Sequence, residues 1–303
     1  MAMTATLKHI RGMAGAPSVP VLQADALSEV FFVNEYVSRS LPCVIKGAVR
    51  RWGALEKWRD KEYVKARSGH HSVNYFPHEY HVSSKRNDVG QETLTFANAL
   101  DRLHSCKTKM AIVPTVLPTE LQSDTGGFSF LSRTEPAFCY TDVRYFFYRN
   151  AGTTWHYHPF DETLMCQIIG SKRIGLLYAN THHQIRLRNL FFQEDYYDDP
   201  TVFDAFGNAD LRWFSATLNE GDALYIPPLW WHGVTPIDEE FGATVAVTWR
   251  SPPHVIAYAI KKMASGHVDM IGKTEMTRYQ DLVDIAAKMG LEKELAIARQ
   301  RGV

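Results

Sequence analysis

The chain has 303 residues, of which 45% are hydrophobic and 22% charged. This balance is typical of a globular protein rather than a disordered or fibrous one. Lysine plus arginine equals aspartate plus glutamate at 33 each, so no overall charge draws the protein to nucleic acid or to an anionic membrane.

Cysteine usage and hydropathy point to the same compartment. The four cysteines stand far apart and form no Cys-x-x-Cys pair, which argues against a dense disulfide framework or a zinc knuckle. No stretch reaches the ~18 apolar residues of a membrane span. We therefore expect a cytoplasmic protein without a membrane association.

The changes in composition and periodicity along the chain predict one main domain. Residues 1–19 show no period and no apolar run of signal-peptide length, and are expected to form a loose lead-in. A single domain is predicted over 20–252, with a barrel core at about 138–252. Residues 253–303 are predicted to form a C-terminal helical extension.

The first part of the domain is predicted to be an α+β elaboration. Helical spacing of apolar residues predicts helices at Asp25–Ser38, Asp60–Ser68 and Thr95–His104. β-favouring runs predict strands at Pro42–Ile45 and within His70–Val82. The histidines of the second run lack a defined ligand spacing, so we interpret this run as structural and as lying near the mouth of the substrate site.

From Phe138 onward the chain becomes β-rich. Short runs separated by turn residues predict strands at Val143–Tyr148, Thr163–Ile169, Arg173–Tyr178, Ala223–Ile226 and Ala243–Trp249. Regular short strands of this kind are typical of a jelly roll or barrel, so the fold class is mainly β. The insert at 182–212 is longer than a barrel turn needs, and a long loop at a barrel mouth often selects substrate.

The last segment is predicted to be helical. Ile256, Ala259, Ile260 and Met263 fall at the i, i+3, i+4 and i+7 positions of a helix, and a similar spacing recurs further on. Such a stripe packs either against the body of the same chain or in a homodimer interface, and both alternatives remain open here.

Two histidines in the β-rich part have the spacing of metal ligands. His156 and His158 lie in the segment Gly152–Glu162, and residues i and i+2 of a strand point to the same side. Two neutral imidazoles on one face suit a first-row metal such as Fe(II), Zn(II) or Cu(II). A third ligand has to come from elsewhere in the chain.

A second segment supplies that ligand. Gly221–His232 reads as a tight turn, a buried strand and a rigid proline turn that presents His232. Its two tryptophans, Trp230 and Trp231, are interpreted as core residues. The three histidines together predict a metal site inside a β-barrel.

These motifs resemble those of a known family. The two histidine segments are similar to the paired motifs of the cupin superfamily, in particular the Jumonji C hydroxylases related to the asparaginyl hydroxylase that modifies hypoxia-inducible factor. The upstream segments Pro42–Gly47 and Trp52–Trp58 are similar to a second conserved stretch of that family. The resemblance covers roughly Pro20 to Pro252.

The resemblance implies both a fold and an activity. The fold is a double-stranded β-helix, the jelly roll of cupins, that holds Fe(II). The activity is hydroxylation of an unactivated C–H bond with 2-oxoglutarate as cosubstrate and O2 as oxidant. The substrate class implied is a protein side chain or a small molecule, whereas the neutral net charge disfavours nucleic acid.

The metal-ligand set differs from the family pattern. The family has the motif His-x-Asp, whereas this chain has His156-Tyr157-His158 at the same place. In one account His158 replaces the aspartate, in a second Glu162 also binds the metal, and in a third Asp161 does. An all-nitrogen site also raises the relative affinity for Cu(II), Ni(II) and Zn(II).

The resemblance also assigns a cosubstrate pocket. Thr153 matches a family threonine that contacts 2-oxoglutarate, and Lys172 matches the basic residue that pairs with its distal carboxylate. Thr163 and Thr248 stand where the family often has asparagines lining the same pocket.

Two other functions are compatible with the same residues. A three-histidine dioxygenase could bind its substrate directly to the metal and need no 2-oxoglutarate. Alternatively, a cupin that lacks the carboxylate ligand could bind a ligand or partner without catalysis.

Overall fold

The computed structural model describes residues 15–77, 91–141, 143–178, 187, 211–237, 241–268, 276 and 278–301. The predicted insert at 182–212 and residues 78–82 of the predicted His70–Val82 strand fall almost wholly outside this range. None of the helices in these described residues has the length and the apolar composition of a membrane-spanning segment.

The strands of the described chain are numbered in order. They are β1 (Val21–Gln23), β2 (Cys43–Lys46), β3 (Ser72–Phe76), β4 (Glu92–Thr95), β5 (Met110–Val116), β6 (Val143–Arg149), β7 (Thr153–His156), β8 (Asp161–Ile169), β9 (Lys172–Tyr178), β10 (Arg212–Leu218), β11 (Ala223–Ile226), β12 (Trp231–Pro236) and β13 (Phe241–Arg250).

The helices are numbered in the same way. They are α1 (Glu29–Phe32), which continues as one π-helical turn over Val33–Val37, α2 (Ala54–Lys57), α3 (Lys61–Ser68), α4 (Phe96–Ser105), α5 (Thr119–Gln122), α6 (Pro253–Ala264), α7 (Tyr279–Lys288) and α8 (Glu292–Arg301).

Side-chain caps explain where three of the N-terminal helices begin. Ser28 accepts a hydrogen bond from the backbone N–H of Phe31, Asp60 from Glu62, and Thr95 from Asn98. Each cap pairs an N–H group that the first helical turn leaves without a partner inside the helix. These caps fix the start of α1, α3 and α4.

Two sheets form the body of the protein. The larger has the strand order β1-β2-β11-β8-β13-β6-β5-β3-β4, and the smaller has the order β10-β9-β12-β7. Except for the parallel pair β1–β2, neighbouring strands run antiparallel. This arrangement is consistent with the jelly roll that the sequence predicts.

The two sheets pack face to face through an apolar interior. Val44 and Leu224 of the large sheet pack with Ile174, Leu176 and Val234 of the small one. Successive residues of a strand point to opposite sides, so the residues that alternate with this set face outward. The same alternation determines which polar side chains point into the barrel.

Two further cores cover the outer faces of the sheets. An aromatic cluster on the large sheet packs against the N-terminal helices and includes Phe32, Trp58, Phe96, Tyr145 and Phe147. On the small sheet, Trp155 and Trp231 are fully buried together with the apolar stripe of α6. The C-terminal stripe therefore packs on the body of its own chain. The homodimer through the C-terminal helices stays a prediction.

Most elements predicted from the sequence are confirmed, with shifts at their ends. The strand at Ala223–Ile226 has the predicted bounds, and the predicted Arg173–Tyr178 begins one residue earlier, at Lys172. The predicted helix at Asp25–Ser38 is shorter, because a 3-10 turn at Ala24–Ala26 precedes α1 and an extended Leu27 separates the two. The expected domain bounds stay a prediction.

Candidate functional site

Three buried histidines meet inside the barrel, as the sequence predicts. His156 ends β7 and pairs directly with His232 of β12, and their ring centroids lie 4.0 Å apart. The centroid of His158 lies 5.0 Å from that of His232 and 5.4 Å from that of His156. One ring nitrogen of each histidine lies within 4.8 Å of the other two.

His158 reaches the cluster from outside a strand. β7 ends at His156, so the i, i+2 spacing of a continuous strand does not position His158, contrary to the sequence-based argument. Its carbonyl oxygen accepts a 2.8 Å hydrogen bond from the backbone N–H of Leu229, near the end of the proline turn. The turn that precedes His232 therefore also anchors His158.

Backbone carbonyls fix the tautomers of two of the histidines. Nδ1 of His156 lies 2.8 Å from the carbonyl oxygen of Thr154, and Nδ1 of His232 lies 3.0 Å from that of Trp230. A carbonyl oxygen only accepts, so Nδ1 carries the proton in both rings and Nε2 keeps its lone pair. This is the tautomer that a metal ligand needs.

The third imidazole is oriented by a hydroxyl. Nδ1 of His158 lies 2.8 Å from Oγ1 of Thr163 on β8, and this contact directs Nε2 of His158 toward the other rings. Thr163 was predicted to line the cosubstrate pocket, whereas the observed contact of its hydroxyl is with a candidate ligand.

Burial keeps all three imidazoles neutral. Loss of solvation lowers the pKa of His156 and of His158 well below the usual value, and lowers that of His232 to about 4. The positive charge of Arg144 acts on each pKa in the same direction. Neutral imidazole is the form that binds a metal ion, so this donor set suits Fe(II) or another first-row divalent metal.

Glu162 does not join the three histidines, contrary to the alternative that used it as a ligand. Because Thr163 faces the barrel interior, its neighbour Glu162 points to the opposite face of β8. There its carboxylate accepts a 2.6 Å hydrogen bond from the hydroxyl of Tyr225. Burial raises the pKa of Glu162 to about 8.

Asp161 is engaged elsewhere as well. Its two carboxylate oxygens accept hydrogen bonds of 2.7 Å from the backbone N–H groups of Phe138 and Cys139. Burial nevertheless raises the pKa of Asp161 to about 6. The carboxylate thus ties the segment before β6 to the start of β8, and the structure does not bring it into the histidine group.

A bulge brings Thr153 to the same face as the ligands. His232 lies opposite His156 and Val234 lies opposite Thr153, so two steps along β12 match three steps along β7. Directly paired residues share a face, and Val234 faces the barrel interior. Thr153 is therefore placed on the inner face, which an unbroken strand would not allow.

Lys172 is the buried cation of the small sheet. It lies on the same face of β9 as Ile174 and Leu176 of the barrel interior, and its Nζ is 4.2 Å from the ring centroid of Tyr148. Leu176 is paired with His232, so the Cα of Lys172 lies about 13 Å from the histidine level at 3.3 Å per residue. Burial lowers the pKa of the Lys172 ammonium to about 7.

Thr248 lies on the same side of the large sheet as Thr163. The two threonines are direct partners in the β13–β8 ladder, and the Thr248 hydroxyl donates a 2.9 Å hydrogen bond to the carbonyl of Thr141. The predicted contact of Thr248 with a cosubstrate stays a prediction.

Sequence reasoning missed a second cation near the histidines. The guanidinium carbon of Arg144 lies 3.9 Å from the ring centroid of Tyr140, whose ring centroid is 5.0 Å from that of His158. The neighbour of Arg144 on β6, Tyr145, points away from the barrel interior into the core under the N-terminal helices. Arg144 therefore points into the barrel, and the alternation of residues along the predicted strand could have indicated this from the sequence. The interior thus contains the basic side chains of Arg144 and Lys172 as well as the neutral imidazoles.

The two tryptophans of the second motif are core residues, as predicted. Trp231 is fully buried, with its ring centroid 4.7 Å from that of Tyr157. The indole N–H of Trp230 donates a 2.9 Å hydrogen bond to the carbonyl of Ser40.

Comparison with known proteins agrees with this architecture. The family described as the cupin-like domain matches residues 28–254. A relative named lysine-specific demethylase JMJ30, from Arabidopsis thaliana, is 26% identical over 234 residues, which cover 71% of this chain and 51% of the relative.

Two other relatives show how far the similarity extends. Jumonji C domain-containing protein 5 of Drosophila melanogaster is 25% identical over 256 residues, covering 76% of this chain and 59% of the relative. The human tRNA wybutosine-synthesizing protein 5 is 31% identical over 101 residues, covering 33% of this chain and 31% of the relative. The chain spans about half the length of the Arabidopsis relative. The matched residues include both histidine segments and most of the two sheets, and the chain belongs to the cupin-like domain family.

Proposed function

We propose that this protein is an Fe(II)- and 2-oxoglutarate-dependent oxygenase that hydroxylates a C–H bond of a protein side chain or a small molecule. One observation carries the proposal. Three buried imidazoles converge inside the barrel, and a buried lysine lies further along the same interior face.

The histidines supply a facial set of neutral nitrogen ligands. His156 and His232 each donate Nδ1–H to a carbonyl oxygen, and His158 is oriented through Thr163. These outer hydrogen bonds fix the rings before a metal binds, which is the usual arrangement around metal-binding histidines. Bound iron would activate dioxygen for oxidation of the substrate.

The charges of the interior fit a dicarboxylate cosubstrate. Three neutral ligands would leave Fe(II) at its full charge of +2, which the two carboxylates of 2-oxoglutarate would balance. The Cα of Lys172 lies about 13 Å from the level of the histidines, at 3.3 Å per residue. The lysine side chain and a five-carbon dicarboxylate, placed end to end, can bridge this distance. The Lys172 ammonium would bind the distal carboxylate, and Thr153 faces the space between them.

Residues around the site would also exclude water. The three histidines and Lys172 are buried. The ring of Tyr140 packs against His158, and the ring of Tyr148 packs against Lys172. A dry site strengthens each electrostatic interaction in it and limits side reactions of the oxidant.

A three-histidine dioxygenase without a cosubstrate is the second candidate. The observation that favours it is the all-imidazole ligand set, because the carboxylates closest in sequence to His158 are engaged elsewhere. Asp161 binds backbone N–H groups and Glu162 binds Tyr225. In that case the substrate itself would bind the metal, and Lys172 would be dispensable for turnover.

One titration separates the two candidates. Metal-free protein is titrated anaerobically with Fe(II) and then with 2-oxoglutarate, and the visible charge-transfer band of the iron chelate is recorded. We expect a band in the wild type, a weaker band in Lys172→Ala, and no band in His158→Ala because its metal is lost.

Glu162→Gln is the matched control for this titration, because it changes a carboxylate close in sequence to His158 that lies outside the cluster. It is expected to retain both metal and band. Stoichiometric iron binding without a band in the wild type would contradict 2-oxoglutarate binding and favour the second candidate. Loss of iron from Glu162→Gln would revive Glu162 as a ligand.

A further inference from the structure

A second group of metal-binding side chains lies on the surface of the N-terminal part. It consists of His70, His71 and Glu120, and we call it the surface triad. Nε2 of His71 lies 3.1 and 3.2 Å from the two carboxylate oxygens of Glu120, and Nε2 of His70 lies 3.7 Å from one of them. One ligand atom from each residue lies within 4.8 Å of the other two.

The backbone explains why two consecutive histidines present their rings together. Side chains of successive strand residues diverge, but His70 and His71 lie in the turn between α3 and β3, and their ring centroids are 4.2 Å apart. The turn needs Gly69, because a Cβ there would collide with the carbonyl oxygen of Lys65. The carbonyl of His71 accepts a 2.7 Å hydrogen bond from the N–H of Phe96.

The third residue is brought to this turn by tertiary structure. Glu120 belongs to α5, about fifty residues further along the chain, and Nε of Arg67 donates a 2.8 Å hydrogen bond to its carbonyl oxygen. Thr119 donates a second hydrogen bond, of 3.3 Å, to the Glu120 carboxylate. These two hydrogen bonds hold Glu120 in place, with its carboxylate beside the two imidazoles.

The spacing of the donor atoms suits one metal ion. Bonds of 2.0–2.2 Å to nitrogen and oxygen place neighbouring ligand atoms of a zinc-like ion about 3.0–3.5 Å apart, close to the 3.1–3.7 Å seen here. His70 is 68% exposed, and His71 and Glu120 are about one-third exposed. An ion at this point can be reached from solvent and can complete its coordination with water.

The ligand types decide which ions fit. Two imidazoles and one carboxylate favour borderline ions such as Zn(II), Ni(II) and Cu(II), whereas Ca(II) and Mg(II) prefer sites made of oxygen ligands alone. A glutamate carboxylate is charged at neutral pH, so Glu120 can bind a cation together with the two imidazoles.

We propose that His70, His71 and Glu120 form a second divalent-metal site, which binds a zinc-like ion together with water and joins the end of α3 to α5. This site does not depend on the proposed oxygenase activity. A metal-free ion pair between His71 and Glu120 is the competing explanation of the same contacts, and metal stoichiometry distinguishes them.

The experiment uses the full chain with the barrel site disabled. His156→Ala and His232→Ala are combined to remove the barrel ligands, and Zn(II) is titrated against a chromophoric chelator. We expect one equivalent of Zn(II) per chain to remain bound in this background. Adding His71→Gln or Glu120→Gln should weaken that binding about tenfold or more, as changes around a metal centre commonly do.

A matched control tests whether any surface histidine has the same effect. His254 is exposed and lies outside both clusters, so His254→Gln should leave the remaining equivalent unchanged. The proposal is overturned if the barrel-disabled protein binds no Zn(II), or if its binding survives both His71→Gln and Glu120→Gln. If the barrel-disabled protein does not fold, the same test is made in the wild-type background. There His71→Gln should lower Zn(II) binding from two equivalents per chain to one.

Discussion

Gly152 lies directly against the backbone carbonyl of Val234, so close that a Cβ at position 152 would overlap the carbonyl oxygen. This contact lies beside the Thr153–Val234 pair, where the register of β7 against β12 has shifted relative to the His156–His232 pair. The backbone approach that lets β7 bulge and turn Thr153 inward therefore depends on a residue without a side chain.

We expect Gly152→Ala to destabilise the protein by about 1–3 kcal/mol, because the clash is with backbone and cannot be relieved by a rotamer change. The same change should weaken metal binding, since it displaces β7 relative to β12. Urea unfolding and a metal titration measure the two effects. Gly127→Ala is the control, because a Cβ at position 127 has no atom within 4 Å. Equal stability of the two variants would contradict this account.

The hydrogen bond between Thr163 and His158 predicts a metal-affinity effect rather than a cosubstrate effect. Thr163→Val keeps the shape of the side chain but removes the hydroxyl, and outer hydrogen bonds of this kind commonly contribute about 10–100-fold to metal affinity. We expect a loss of that size for Thr163→Val, measured by competition with a chelator, and a much smaller loss for Thr163→Ser. If Thr163→Val keeps its metal affinity and instead weakens 2-oxoglutarate binding to the metal-loaded protein, Thr163 lines the cosubstrate pocket.

Lys172 predicts how cosubstrate affinity depends on pH. Its pKa is lowered to about 7 by burial, and a bound carboxylate would raise it again, so binding takes up a proton above pH 7. Affinity for 2-oxoglutarate should therefore fall as pH rises above about 7, by up to about tenfold per unit. Anaerobic calorimetry in buffers of different ionisation enthalpy measures the proton uptake directly.

Lys172→Arg is the control for that pH dependence, because a guanidinium stays charged throughout the range. Any slope that persists in Lys172→Arg comes from another group, such as a metal-bound water. A wild-type affinity that is constant between pH 7 and 9 would show that Lys172 does not contact the cosubstrate carboxylate.

The buried Glu162 predicts a pH-dependent stability. Its pKa is raised from 4.5 to about 8 in the folded protein, so the folded state binds more protons than the unfolded state between these values. The free energy of unfolding should therefore fall as pH rises from about 5 to 8, by up to about 1.4 kcal/mol per unit.

Glu162→Gln should remove most of this slope, because the amide stays neutral and its oxygen still accepts the hydrogen bond from Tyr225. The variant is expected to be more stable than the wild type at pH 8 and close to it at pH 5. Urea unfolding at both pH values tests the difference. A wild-type slope that Glu162→Gln leaves unchanged would assign the pH dependence to another group.

The sequence by itself determined the local structure and the identity of the three histidines. Apolar periodicity and N-cap residues gave the helices after Asp60 and Thr95, because both signals depend only on residues a few positions apart. The Gly221–His232 segment likewise contains its own turn, strand and proline turn. Similarity to a known family then joined this segment to His156 and His158, which are far away in the chain.

Only the tertiary structure decided the contacts that depend on register and on chain crossings. The strand alternation that excludes Glu162 follows from where β8 begins, and the inward position of Thr153 follows from a bulge that no local pattern marks. The partner of His158 is Thr163 because the loop after β7 folds back on β8. The surface triad exists because α5 packs beside a turn about fifty residues earlier. The bulge and the surface triad depend on segments that are distant in sequence, and only the folded chain brings these segments together. The contact between His158 and Thr163 joins residues five positions apart, but it depends on the direction that the chain takes after β7, which no local pattern specifies.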